Sequence, residues 1–312
     1  MSKTTVTLID FVPSSSIPNH ELLNFLKYSL RAKQYKKFSM NFNLIGKLKG
    51  TKGEYMYDLG LSDCFNKIIV GNQHYLEVFE RGGAEYYRNQ PSDFSPLFSV
   101  SYEHHGEFHC LRVVNENGHE FIYATTNKGL IKIRVQDLMN NKSKVEWVFK
   151  KNSYCNIWGL DVIGTRVYYL DFNNSSLFSL NRNTGTEVEE EKLKDLTMGY
   201  GLQFLSENKI LTSHGNCLEI LEKKENQWVS LKKGTSLETS CLYSMFYEKE
   251  SGLIYTSNTT EGHVVIADLE HLSLVKKCEN SLFNWNYGII VDSKTGLLYI
   301  CNRTTNHILI FE

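Results

Sequence analysis

Proline is almost missing from this chain, four residues in 312, so little stands in the way of long ladders of backbone hydrogen bonds. Long apolar runs are missing too. None approaches the roughly 20 residues that cross a bilayer as a helix. Met1–Asp10 has no charged stretch leading into an apolar one, so no secretory signal is expected. Cysteine pairing signals are equally absent. Cys64, Cys110, Cys155, Cys217, Cys241, Cys278 and Cys301 are dispersed, odd in number and without a C-x-x-C pair. That suits neither a disulfide framework nor a zinc cluster, and predicts reduced thiols in a cytoplasmic protein. No G-x-S-x-G elbow, P-loop or G-x-G-x-x-G cradle occurs, which removes the usual signatures of acyl transfer and of phosphate binding. Helical periodicity all but disappears after residue 45.

What is present is Tyr, Phe, Ile, Val and Thr in short alternating runs, the composition of strands. The runs repeat. Lys67–Val70, Glu120–Tyr123, Arg166–Tyr169, Lys209–Leu211, Gly252–Tyr255 and Gly296–Tyr299 are centred on Ile69, Ile122, Tyr168, Ile210, Ile254 and Leu298, at intervals of 53, 46, 42, 44 and 44 residues. A hydrophobic stretch precedes each run, starting near Gly60, Cys110, Gly159, Gly201, Ser244 or Gly288. An alternating strand follows it, as in Leu76–Phe79 or Ile308–Phe311. Tight-turn residues separate first and second strands, Asn117-Gly118 being the clearest. A three-strand phrase at a period in the forties predicts an all-β fold, a six-bladed β-propeller of four-stranded antiparallel blades.

The phrase resembles the NHL repeat: a Gly-hydrophobic first strand, an Ile-Tyr-Val-like second, an Asp or Asn turn and an Ile-x-Val-Phe third. Tyr287–Asp292 through Asn306–Phe311 carries it best, followed by Gly60-Leu61 through Leu76–Phe79 and by Trp158–Leu180 with Asp171 at the turn. The proline that usually precedes the first-strand Gly is absent, and the second unit, 98–150, is longer than the others. No Trp-Asp pair ends a strand, which argues against WD repeats. The resemblance implies binding or scaffolding, with either a protein or peptide partner or single-stranded RNA, and a net charge of −8 over residues 54–312 favours the protein partner. Calcium-dependent lactonases and zinc-dependent amidating lyases are similar in architecture, so a metal-dependent hydrolase or lyase is the alternative.

Residues 39–312 read as the propeller and 1–38 as an extension. Ser39–Gly46 alternates and is expected to close the ring as the outer strand of the sixth blade, removing an open edge. Leu22, Leu23, Leu26 and Leu30 stripe an amphipathic helix over His20–Lys37. Residues 1–53 hold nine Lys and Arg against two carboxylates, +7 overall, which leaves −8 for the remainder of a chain of net charge −1. A basic helix face accounts for this more simply than a nucleic-acid arm. The acid run Glu187–Glu191 reads as a solvated outer strand.

An aromatic stands just before the first-strand Gly or Ser in four consecutive units: Trp158, Tyr200, Tyr243 and Tyr287. Tyr57 and Phe108 are the candidates in the first two. With Asn173, His214, Asn258 and Arg303 in adjacent turns, they form a candidate binding surface at one channel mouth. His104, His105 and His109 are close enough in sequence to be weighed as zinc ligands, and Asp58, Asn156, Asn173 and Asn286 as calcium ligands. Neither set has the clustering or flanking motifs of a metal site, so no cofactor and no metal are expected. The expected state is a monomer without membrane contact.

Overall fold

The computed structural model describes residues 35–53, 55–89, 93–150, 157–171, 176–193, 200–225 and 227–312. Its 24 strands form six four-stranded antiparallel sheets. Strand β1 is Leu44–Lys49. Blade one follows with β2 (Met56–Ser62), β3 (Lys67–Asn72), β4 (Tyr75–Glu80) and β5 (Phe98–Ser101). Blade two has β6 (Phe108–Glu116), β7 (His119–Thr126), β8 (Gly129–Arg134) and β9 (Trp147–Lys150). Blade three has β10 (Ile157–Ile163), β11 (Arg166–Asp171), β12 (Ser176–Asn181) and β13 (Glu187–Lys192). Blade four has β14 (Leu202–Ser206), β15 (Lys209–His214), β16 (Cys217–Lys224) and β17 (Gln227–Lys233). Blade five has β18 (Met245–Glu248), β19 (Leu253–Asn258), β20 (His263–Asp268) and β21 (Leu274–Glu279). Blade six has β22 (Asn286–Asp292), β23 (Leu297–Asn302) and β24 (His307–Phe311), with β1 as its outer strand.

All six central residues of the repeat fall on second strands and are buried. They face neighbouring blades, because both faces of a propeller sheet are covered. One apolar cluster fills each of the six seams: Ile69 with Leu111 and Ile122 between blades one and two, Ile254 with Leu211 and Met245 between four and five. Asn117 and Gly118 both take positive φ, 51° and 87°, as a two-residue hairpin of right-handed twist requires. The extra length assigned to unit two is shared with blade one, where residues 81–97 link β4 to β5 and carry a short helix, Ala84–Arg88.

Ring closure occurs, but with a shifted strand. β1 pairs antiparallel with β24, Leu48 opposite Ile308 and Gly46 opposite Ile310, and begins at Leu44 where Ser39 was expected. The alternation of Phe38, Met40 and Phe42 is not that of a strand, since Met40 and Phe42 have φ of 62° and 56°. The chain turns there so that Phe38 and Phe42 enter the core of the blade five–six seam. Phe38 lies 6.1 Å from Tyr255, and Phe42 lies 5.9 Å from Phe311. The outer edge of β1 is covered as well: Lys49 N–H donates to Phe94 O at 2.7 Å, and Phe94 N–H donates to Lys47 O at 3.1 Å. The amphipathic helix expected over 20–37 lies outside the described residues up to 34, and Tyr35–Lys37 is not helical.

Blades one and six are clasped by a second device. Arg81, at the end of β4, is buried and bonds both carboxylate oxygens of Asp292, Nε–Oδ2 at 2.8 Å and Nη2–Oδ1 at 2.5 Å. Its remaining nitrogen reaches Asp63 at 2.6 Å.

Candidate functional site

Each blade begins with an innermost strand whose outer edge lies against the channel, and an unpaired edge amide there needs an acceptor. Three side chains supply contacts from the neighbouring blade. Asp58 Oδ2 accepts from Leu111 N–H at 2.9 Å and from Arg112 Nη1 at 3.3 Å. Asp161 Oδ2 accepts from Phe204 N–H at 2.6 Å. Gln203 Oε1 accepts from Tyr247 N–H at 2.7 Å. Burial pushes the Asp58 and Asp161 carboxyls above the usual range, and the Arg112 charge opposes it. Asp58 is thus a ring-linking residue, not an open calcium ligand.

Above this layer the channel is closed by six rings, one from each blade: Tyr57, His109, Trp158, Tyr200, Tyr243 and Tyr287. β-Bulges put four of them there. The register shifts between Met56 and Asp58, Phe108 and Cys110, Ile157 and Gly159, and Asn286 and Ile289, and the extra residue turns inward at each. Tyr200 and Tyr243 stand two residues before β14 and β18, with Gly201 and Ser244 between. The next residue must be small where strands converge: a Cβ on Gly288 would stand 2.7 Å from Asp58 Cα.

The rings pack edge to face and in stacks. His109 stacks on Trp158 at 4.6 Å and 6°, Tyr200 on Tyr243 at 4.0 Å and 19°, and Trp158 on Tyr287 at 5.7 Å and 25°. Tyr57 is 5.4 Å from Tyr287. Together they leave a cavity of about 20 Å³, room for about one water. Burial pushes the Tyr57 hydroxyl up to about 12. Tyr57, His109 and Tyr287 are buried, while Trp158, Tyr200 and Tyr243 remain partly exposed.

Phe108, expected in the ring, is not in it. It pairs with Thr126 and packs with Tyr102 and Val78 in the first seam, and the bulge hands its place to His109. The three histidines weighed as zinc ligands are separated accordingly. His104 and His105 belong to a short 3₁₀ turn, His104 exposed and His105 beside Tyr102. His109 is in the plug. Among the described residues no three His, Cys, Asp or Glu side chains converge as a metal group. Asn258 is buried as a turn former: its Oδ1 accepts from Glu261 N–H at 2.6 Å and its Nδ2 donates to Thr239 Oγ1. Asn286 is buried at the start of β22. Asn156 and Asn173 lie outside the described residues, as does the side chain of His214.

Arg303 is the candidate that the structure places most tellingly. It sits in the β23–β24 turn, half-buried at the rim of the plug. Its guanidinium carbon is 4.4 Å from the ring centre of Tyr55, 5.3 Å from Tyr57, 5.4 Å from Trp285 and 5.5 Å from Tyr287. Nη1 donates to the Tyr287 hydroxyl at 3.1 Å. Trp285 is 48% exposed and has a φ of +52°. Sequence patterns did not single out Tyr55 or Trp285, because neither holds the position before the first-strand Gly.

The buried imidazole of His109 sets an acid-sensitive property. Burial lowers its pKa to about 4, against an opposing bond from Nδ1 to Ile157 O at 3.3 Å. It is neutral in the folded protein at pH 7. As pH falls from about 6.5 towards 4, the unfolded chain takes up a proton that the folded chain refuses, so stability declines by up to about 3 kcal/mol. His109→Gln should flatten that part of the stability–pH curve. An unchanged slope in urea melts between pH 7 and 4 would remove this role.

No protein-family model matches the chain, and no curated protein matches it. Among solved structures, it is similar to the WD40 β-propeller domain of Doa1, with a TM-score of 0.59 at 10% identity, covering 84% of this chain and 80% of that one. A computationally designed protein, Ika8, aligns over 82% of this chain and 70% of its own with a TM-score of 0.46 at 11% identity. The first likeness is one of fold, a β-propeller, and the six blades are those of this chain's own sheets. Among the described residues no helix is long and apolar enough to cross a membrane.

Proposed function

We propose that this chain is a protein-interaction module of NHL-like blades, acting as a monomer, which docks a peptide segment of its partner across the aromatic mouth of the channel. The observation that carries this reading is the rim itself. Trp158, Tyr200 and Tyr243 remain partly exposed, and Trp285, 48% exposed, meets the Arg303 guanidinium that also touches Tyr57 and Tyr287 of the ring. Rigid aromatics bury much area at little entropic cost and recur as interaction anchors. The space of about 20 Å³ beneath them cannot admit a substrate, so an occupant lies on the face and not within the ring. That geometry favours binding over chemistry inside the channel. A peptide is favoured over RNA because the six ring positions carry no cation: His109 is neutral, and the others are Tyr and Trp.

A photo-reactive benzophenone residue at position 285 is expected to crosslink a polypeptide partner, while the same residue at Val188, exposed on the outer strand of blade three, does not. Tyr200→Ala or Tyr243→Ala should weaken capture by about 1–3 kcal/mol and shift stability by about 1 kcal/mol. Crosslinks to nucleic acid, or capture that both substitutions leave unchanged, would place the function elsewhere.

A further inference from the structure

Arg303 has no obvious reason to be where it is. A cation withdrawn from water needs a counter-charge, and aromatic faces supply only a weak one. Among the described residues no carboxylate pairs with Arg303, and its bonded protein partner is the neutral Tyr287 hydroxyl. Its Nε is buried and bonds no protein atom. By contrast Arg81, equally cationic, is enclosed by Asp292 and Asp63. The buried Arg81 guanidinium is thus neutralised within the fold, whereas the half-buried Arg303 guanidinium at the mouth is held in place with no carboxylate partner among the described residues.

The surroundings add a second, independent sign. Trp285 holds a left-handed backbone, φ +52°, which bulky residues rarely adopt, and keeps its indole half-exposed against the guanidinium. Such strain persists where surrounding structure enforces it and gathers at ligand sites. Tyr55 and Tyr57 hold the other flank at 4.4 and 5.3 Å. A guanidinium fixed between rings is pre-organised for a planar two-oxygen acceptor.

We propose that Arg303 is the anchor for a carboxylate of the docked peptide, received beside an apolar or aromatic side chain that lies on Trp285. This rests on the interaction reading above and gives its ligand a chemistry. The source is either a C-terminal carboxylate or an Asp or Glu side chain. A phosphate of a nucleic acid is the less suited ligand, since among the described residues Arg303 is the cation held against these rings, and a polyanion draws on several.

The probes are N-acetyl-Leu-Phe as free acid, the same dipeptide as its amide, N-acetyl-glutamate α-amide, and uridine monophosphate. The reading is the Nε–H resonance of Arg303 in the full chain, identified by its loss in R303K. The free acid or the glutamate derivative is expected to shift it in a dose-dependent way, with the dipeptide amide at least tenfold weaker. Whichever carboxylate binds better names the source. R303Q should reduce binding, followed by indole fluorescence, about tenfold, with the wild-type chain itself showing the shift whether or not the variant folds well. No shift from either carboxylate at ~10 mM, where ligands this small still register, overturns the proposal. So does tighter binding of uridine monophosphate than of both carboxylates. A partner that crosslinks at position 285 equally well in R303Q removes the anchor while the interaction module stands. Carboxylate binding without any crosslinked partner keeps the anchor and removes the module.

Discussion

A chain starting at residue 50 should fail to fold cooperatively. It loses β1, so that β24 becomes an open edge with unpaired amides along Ile308–Phe311. It also loses Phe38 and Phe42, whose places against Tyr255, Phe283 and Phe311 become voids. Large aromatic deletions in cores cost about 3–5 kcal/mol apiece, and whole domains hold only about 5–15 kcal/mol. The expected product is insoluble, or melts without a sharp transition. Phe38→Ala alone isolates one contribution and should cost about 3 kcal/mol. A shortened chain that melts like the full one would show that ring closure is dispensable.

Asp292→Ala should have the next largest effect. Burial by itself would raise the Asp292 carboxyl, but hydrogen bonds and charge from Arg81 overcome it and hold the group below the usual carboxylate range. Removing the acid leaves a guanidinium enclosed at the blade one–six seam, and breaking such a pair costs about 3–5 kcal/mol. Replacing both partners, Arg81→Met with Asp292→Leu, should recover most of the loss, because neither charge is then buried alone. The pH dependence follows from the sign of the shift. A depressed carboxyl stabilises the fold above its unfolded value near 3.9, and that contribution disappears as pH falls through the lower folded value. Denaturant melts of both variants at pH 7 and at pH 3 measure this. A double variant no more stable than Asp292→Ala would refute the clasp.

Where sequence reading faltered at the site, the cause was the bulge. The rule that an aromatic precedes the small first-strand residue was sound, and in unit two it points to His109, since Cys110 holds the position of Gly159 and Gly288. Phe108 stands one residue too early, and a register shift of one residue exchanges core for channel. At the ring's closure, Phe38, Met40 and Phe42 alternate as a strand would, and period-two hydrophobicity does not report a backbone at positive φ. The greater length of unit two is shared with blade one for a simpler reason: an interval between second strands spans the loops of two blades, and each carries a short helix, Ala84–Arg88 and Val135–Met139.

Blade number, strand order within a blade and the need for a closing strand were determined by the sequence alone. They depend on local periodicity and turn chemistry, which adjacent residues record directly. The partnership of Arg81 with Asp292, the six-ring plug and the aromatic setting of Arg303 were decided only by tertiary structure. Residues 81 and 292 come together because the ring closes. Tyr55, Tyr57, Trp285, Tyr287 and Arg303 meet because the first and last blades become neighbours. Closure converts the two ends of the repeat array into one seam, and no local pattern in either end records what the other will bring to it.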